Sequence, residues 1–133
     1  MTLRTVNPES LGAPRGYSHG LLAPAGGRLL FVAGQTASAG PDGVGAQSFV
    51  EQWSRALAKV LAVVREAGGS PEDIGRLTIY VTDLQAYRAN LKPLGEAYRE
   101  LMGSHYPAMA LVEVKGLVDA GAVIEIEATA VVP

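Results

Sequence analysis

Cysteine is absent from the chain. Its absence excludes a disulfide framework, a thiol nucleophile and a zinc ribbon. Aromatic residues are scarce, at 6% of 133 residues. A small monomer built this way lacks large core fillers, and association would help it. Charge is also low: charged residues make up 18% and the net charge is −2. There is no run of basic residues, whereas a nucleic-acid binder normally shows a basic stripe. No apolar run approaches the length of a membrane span, and no basic segment precedes an apolar stretch at the N-terminus. These absences predict a soluble cytoplasmic protein with no nucleic-acid or membrane partner. Only two histidines occur, His19 and His105, far apart in sequence. With no HxH, HExxH or Cys/His cluster, no dedicated metal site is expected. The glycine-containing segments GGR and AGQT match neither a phosphate-binding loop nor a dinucleotide fingerprint, so no nucleotide cofactor is expected.

What is present is a chain that is 48% hydrophobic, enough for one real core. No linker, repeat or composition break divides it, so residues 1–133 read as one domain. Arg28 to Gly34 (RLLFVAG) reads as a strand closed by glycine. The Gly26-Gly27 turn before it predicts a hairpin with His19 to Ala25. Ser38 to Gly45 (SAGPDGVG) reads as a loop. Ala46 to Ala67 reads as a helix, with Val50, Trp53, Leu57, Leu61 and Val64 on one stripe and Gly68-Gly69 ending it.

Arg76 to Thr82 alternates as a strand, with Leu77, Ile79 and Val81 on one face. A second helix carries Tyr87, Leu91, Leu94, Tyr98 and Leu101. Pro93 places its regular part late, starting near Lys92 after an irregular turn. Gly103 closes it. Two strands finish the chain, Ala108 to Val114 and Ala122 to Val132. The predicted class is α+β, with two helices on one face of a mixed sheet.

The last strands carry the unusual pattern. Ile124, Ile126, Ala128, Ala130 and Val132 make a core face. The opposite face mixes Val123, Thr129 and Val131 with Glu125 and Glu127. Glu113 shares a strand face with Met109 and Leu111. A half-polar sheet face of this kind suits packing against another subunit, and it predicts that Glu113, Glu125 and Glu127 all face that contact. Glu125 and Glu127 point the same way, about 7 Å apart. Either one of them positions or deprotonates a water, or both are structural charges at an interface. Spacing alone favours the structural reading.

Five segments taken together say more. GYSHG, FVAGQT, YVTDLQAY, YPAMALVEV and IEIEA occur in that order and at suitable spacing. Across nearly the whole chain they resemble the Rid family of reactive intermediate deaminases, also called YjgF or L-PSP endoribonucleases. The resemblance implies a chorismate-mutase-like fold of the bacterial type. It also implies a homotrimer whose sheets form a central barrel, with small-molecule sites at the subunit interfaces. Deaminating members hydrolyse enamines or imines and use no metal or cofactor. By the same resemblance Glu125 would position the attacking water, and Tyr17 and the backbone near Gly34 would line the pocket.

The chain departs from the family at one informative place. An arginine in a Pro-Ala-Arg motif holds the substrate carboxylate in deaminating members, and here the sequence reads PAMA, with Met109 in that position. Ala110 and Leu111 follow, in place of small polar or thiol-bearing residues. A thioether cannot form the bidentate pair that a guanidinium makes with a carboxylate. Activity on standard 2-imino acids is therefore not expected. Arg15, beside GYSHG, is the candidate substitute charge, and His19 the candidate proton donor. Three functions stay open at this point: hydrolysis of an imine-like or related substrate, non-catalytic binding of a metabolite or a chaperone-like role, and deamination of an aminomuconate-type intermediate. The absence of a basic stripe argues against ribonuclease activity.

Overall fold

A computed structural model describes residues 2–133. Its strands are β1 (Arg4–Val6), β2 (Gly20–Leu22), β3 (Arg28–Gln35), β4 (Ile74–Val81), β5 (Ala108–Glu113) and β6 (Ile124–Val132). Its helices are α1 (Phe49–Glu66), α2 (Leu84–Ala89) and α3 (Leu91–Met102). Four strands form one mixed sheet in the order β3-β6-β4-β5. β6 runs antiparallel to both β3 and β4, and β4 pairs parallel to β5. No helix among the described residues is long and apolar enough to cross a membrane.

Local chemistry sets the helix ends. α1 begins after Ser48, a little later than the apolar periodicity suggests. The Ser48 hydroxyl accepts from the Glu51 amide at 3.1 Å, and the Glu51 carboxylate accepts from the Ser48 amide at 3.2 Å. This reciprocal box satisfies two of the donors that a helix start leaves free. The same bonds to Ser48 hold the Glu51 carboxyl below its ordinary value. Asp83 caps α2 by accepting from the amides of Gln85 and Ala86. The chain then breaks at Asn90, and Pro93 falls in the first turn of α3, where a missing N–H costs no hydrogen bond. The irregular turn expected before the helix is therefore the short helix α2 and its break.

The core lies between α1, α3 and one face of the sheet. Leu57, Leu61, Leu77, Ile79, Ile124 and Ile126 are fully buried there. Burying each such side chain contributes about 1.5–3 kcal/mol. Gln52 is a polar member of the buried face of α1. Its amide donates to Gly121 O at 3.2 Å, and its carbonyl accepts from Val123 N at 2.9 Å, tying α1 to the start of β6.

Two expectations are corrected. The segment after His19 does not pair with β3. β2 pairs antiparallel with β1, in the register Arg4↔Leu22 to Val6↔Gly20. The turn does occur, with Gly26 at φ 86. A turn fixes a reversal of the chain, however, and not its hydrogen-bonding partner. β3 takes β6 instead, from Arg28 to Gln35. The second correction concerns Glu113. The register Leu77↔Met109, Ile79↔Leu111 and Val81↔Glu113 puts all three β5 residues on the helix side of the sheet. Glu125 and Glu127 pair with Tyr80 and Thr78 on the other side. Glu113 instead accepts from the Leu84 amide at 3.0 Å, at the start of α2.

The sheet face away from the helices is partly bare. Phe31 is 75% exposed, Leu29 64% and Val112 42%. Large apolar side chains in this number on one sheet face mark a surface built for contact.

Candidate functional site

The predicted site residues fall into two groups on opposite faces of the sheet. The first group lies on the helix side. Ser18 N donates to Pro107 O at 3.1 Å, and Ser18 Oγ to Tyr106 O at 2.5 Å. These bonds pin the GYSHG segment to the residues just before β5. Arg15 and Tyr17 thereby line the same cleft as Met109 and Leu111. The cleft has a volume of about 470 Å³ and is walled by α1, α3 and the β4–β5 edge of the sheet.

Tyr98 and Tyr106 form one wall of the cleft, stacked at 5.2 Å with planes 8° apart. The Tyr98 hydroxyl donates to His105 O at 2.7 Å. Burial first, and then the neighbouring Tyr106, push the Tyr98 phenol well above its ordinary range, so it stays protonated. His105 is thus a structural residue. Its Nε2 donates to Ile74 O at 2.7 Å, bracing the loop that leads into β5.

The second group lies on the open face. A bulge between Val32 and Gln35 interrupts the β3–β6 register. Gly34 sits in it, against the Glu125 carboxylate. A Cβ built on Gly34 would collide with Glu125 Oε2, so only glycine permits this approach. Glu125 accepts no hydrogen bond among the described residues. Glu127 does: the Tyr80 hydroxyl donates to its Oε1 at 2.8 Å. That bond, with the charges of Glu127 and Glu125, raises the Tyr80 phenol above its ordinary value. The two glutamates are therefore not equivalent. One is held by a tyrosine and the other is free to hold a water.

The N-terminal segment crosses the β5 edge between the two groups. His19 falls on the far side of that edge, in a second depression of about 330 Å³ shared with Arg76 and Thr129. It contacts Tyr17 ring edge to ring face at 5.3 Å, and its Nε2 donates to Gly12 O at 3.0 Å. His19 does not line the Met109 cleft. Ala110 also points away from it, because it pairs beside Thr78 on the open face. A single chain thus brings Arg15, Tyr17, Met109 and Leu111 together, and separately brings Gly34 and Glu125 together. It does not join the two groups.

Arg99, Tyr87, Leu91 and Gly95 of the cleft were not legible as site residues. A charged residue off the apolar stripe of a helix reads as solvated surface. The one available signal was Gly95, a glycine inside a helix. Among the described residues no group of three or more His, Asp or Glu is placed to hold a metal ion.

Comparison with known proteins bears on this arrangement. A family model described as Endoribonuclease L-PSP matches residues 8–132. A RutC family protein of Pyrococcus abyssi (strain GE5 / Orsay) is 33% identical over 105 residues, covering 78% of this chain and 79% of the relative. A RutC family protein of Pyrococcus horikoshii is 31% identical over 124 residues, covering 92% of this chain and 90% of the relative. Among solved structures, YyfB from Yersinia pestis, a protein of unknown function of the conserved Rid family, superposes with a TM-score of 0.84. It is 33% identical, with 99% of this chain and 100% of that one covered. The structure of E. coli TdcF with bound serine gives a TM-score of 0.68 at 28% identity, with coverage of 100% and 99%. The five motifs, the mixed sheet under two helices and these matches agree along nearly the whole length: the chain belongs to the Rid family, also called YjgF or L-PSP endoribonuclease-like, and has its chorismate-mutase-like α+β fold.

Proposed function

We propose that this protein is a cytoplasmic homotrimer that hydrolyses an imine, an enamine or a related substrate at sites completed between subunits. The observation that carries the reading is the free carboxylate of Glu125 against Gly34, beside a Glu127 already held by Tyr80. A free carboxylate in a half-buried position can accept a proton from water as the water attacks. The water oxygen bonds to the imine carbon, and the C=N π pair moves to nitrogen, which takes up a proton. The resulting carbinolamine then collapses, its hydroxyl closing to a carbonyl while ammonia leaves. An enamine first takes a proton on carbon to enter the same path.

Two further features support assembly. The sheet face bearing Glu125 exposes Phe31, Leu29 and Val112. The cleft holding Tyr17 and Met109 lies on the opposite side of the same chain, so a neighbouring copy would be needed to bring such a cleft to Glu125. The bound serine of the related TdcF supports a small, amino-acid-like ligand size.

Met109 favours a second reading. Without a strand guanidinium, the pocket lacks the group that grips a 2-imino acid carboxylate, and the trimer then binds a metabolite without turning it over. Ammonia release from carboxylate-free imines generated in situ by a flavin amine oxidase separates the two readings. Hydrolysis above the spontaneous rate, lost in Glu125→Gln, is the expected result. Release no faster than the spontaneous rate across aliphatic and aromatic imines would leave only the binding reading.

A further inference from the structure

Aromatic residues are few in this chain, yet they are not spread evenly. Four of the five tyrosines and the single tryptophan line the one cleft that holds Met109. Its inner end is apolar and buried, formed by Trp53, Ile79 and Leu94. The Trp53 ring lies 6.2 Å from the Tyr87 ring, and its indole N–H is buried with no hydrogen-bond partner. No Asp or Glu lines the cleft.

Two exposed guanidiniums do line it, those of Arg15 and Arg99. Neither is paired: the salt bridge found among the described residues joins Arg55 and Glu51. Arg99 projects from α3 one turn after Gly95. A Cβ built on Gly95 would lie 3.3 Å from Arg99 Nη1, so the guanidinium folds back over the preceding turn. Helix side chains lean toward the N-terminus in this way. A glycine weakens a helix interior relative to alanine. Here it leaves space both for that fold-back and for the cleft.

We infer that the cleft takes a flat aromatic or conjugated acid, with its ring among Trp53, Tyr87 and Met109 and its carboxylate held at the mouth by Arg15 and Arg99. Flat rings suit walls made of rings, and the Met109 thioether makes favourable contacts with an aromatic edge. A guanidinium is the group that matches a carboxylate through paired N–H donors. Charge recognition has in effect moved from β5 to α3 and the N-terminal segment, and Met109 sits under the apolar part of the ligand. The inference rests on the cleft being a ligand site and does not require hydrolysis.

The test is calorimetric titration of the intact protein with phenylacetate and indole-3-acetate. Phenylacetamide serves as the neutral counterpart, and 2-oxobutanoate as an acid without a ring. The aromatic acids should bind at least tenfold more tightly than either control. Arg99→Gln, a surface change to another good helix former, should weaken acid binding roughly ten- to a hundredfold and leave the amide unchanged. Equal affinity for acid and amide would overturn the inference. So would failure of both aromatic acids to bind, or unchanged acid binding in both Arg99→Gln and Arg15→Gln. Glu125→Gln separates this from the hydrolytic reading, because it should retain acid binding. If the acids bind and no imine is hydrolysed, the hydrolytic reading fails alone. If imines are hydrolysed but acid and amide bind alike, the ligand inference fails alone.

Discussion

The Tyr80 hydroxyl donates to Glu127 at 2.8 Å, across the β4–β6 pairing from Thr78. This bond separates the two glutamates of IEIEA, which sequence spacing alone could not tell apart. It also gives Tyr80 a measurable signature. The hydrogen bond to Glu127 is the leading cause of its raised ionisation, followed by desolvation and the charges of Glu127 and Glu125. A folded-state value above the unfolded one means that folding favours the protonated phenol. The associated stabilisation is complete below the unfolded value of about 10 and is lost as pH rises through the folded value. Besides the transition of the buried Tyr98, ultraviolet difference titration should therefore show a second phenol, that of Tyr80, ionising above 10.0. That transition should disappear in Tyr80→Phe and move down in Glu127→Ala. A Tyr80 phenolate already formed at its ordinary pH would contradict the assignment.

Gly34→Ala should leave the fold intact and disturb the site. The added methyl collides with the end of the Glu125 side chain, which can swing aside. The melting temperature should stay close to that of the parent protein. Any hydrolytic activity should fall about a hundredfold, the cost of misplacing a catalytic group by about 1 Å. Parallel ammonia-release assays on Gly34→Ala and Glu125→Gln check this. Full activity in Gly34→Ala would mean that the carboxylate position does not matter.

Phe31→Asp places a charge on the bare sheet face, at a side chain 75% exposed in the isolated chain. The chain itself should fold, because Phe31 makes no part of the buried core. Association should be lost at micromolar concentration, since a buried unpaired charge in an interface costs several kcal/mol. Light scattering of the parent should give three times the chain mass, and of the variant one. A variant that keeps the parent's mass would move the contact to another surface.

Met109→Arg tests whether the missing charge can simply be restored. The new guanidinium would enter a cleft that already holds Arg15 and Arg99 and no carboxylate. Folding stability should fall by about 1–3 kcal/mol. Saturating phenylacetate should recover part of it, because a ligand that binds only the folded state stabilises it. Chemical denaturation with and without the acid reads both effects. A variant as stable as the parent without ligand would show that the cleft is wetter and less crowded than its lining implies.

The helices were legible because their apolar stripes recur within a few residues. α1 and the late start of α3 follow from local chemistry: a serine box in one case, a proline tolerated in the first turn in the other. The alternation of β6 was equally plain. What could not be read were relations between distant strands. Met109, Leu111 and Glu113 do share a face, as alternation says. Which face that is depends on the parallel register with β4, and nothing in residues 108–113 encodes it. The partner of β2 was missed for the same reason. The motifs pointed to Tyr17 and Met109, which the fold brings to one cleft, but Arg99 was not legible, because its relation to the cleft exists only once α3 packs on the sheet.

The position of β6 has a consequence for how the protein is made. This strand comes last in sequence and lies second in the sheet, between β3 and β4. β3 has no sheet partner until Ile124–Val132 has been synthesised. At a translation rate of about 5–20 residues per second, that wait lasts on the order of 5–20 s. Throughout it, α1 can close against β3 and α3 only, and the seam strand beneath it is missing. Within the four-stranded sheet only the parallel β4–β5 unit can pair beforehand. A nascent chain of this kind is a client for holding chaperones, and a break anywhere within its final strand would leave two half-sheets with no seam.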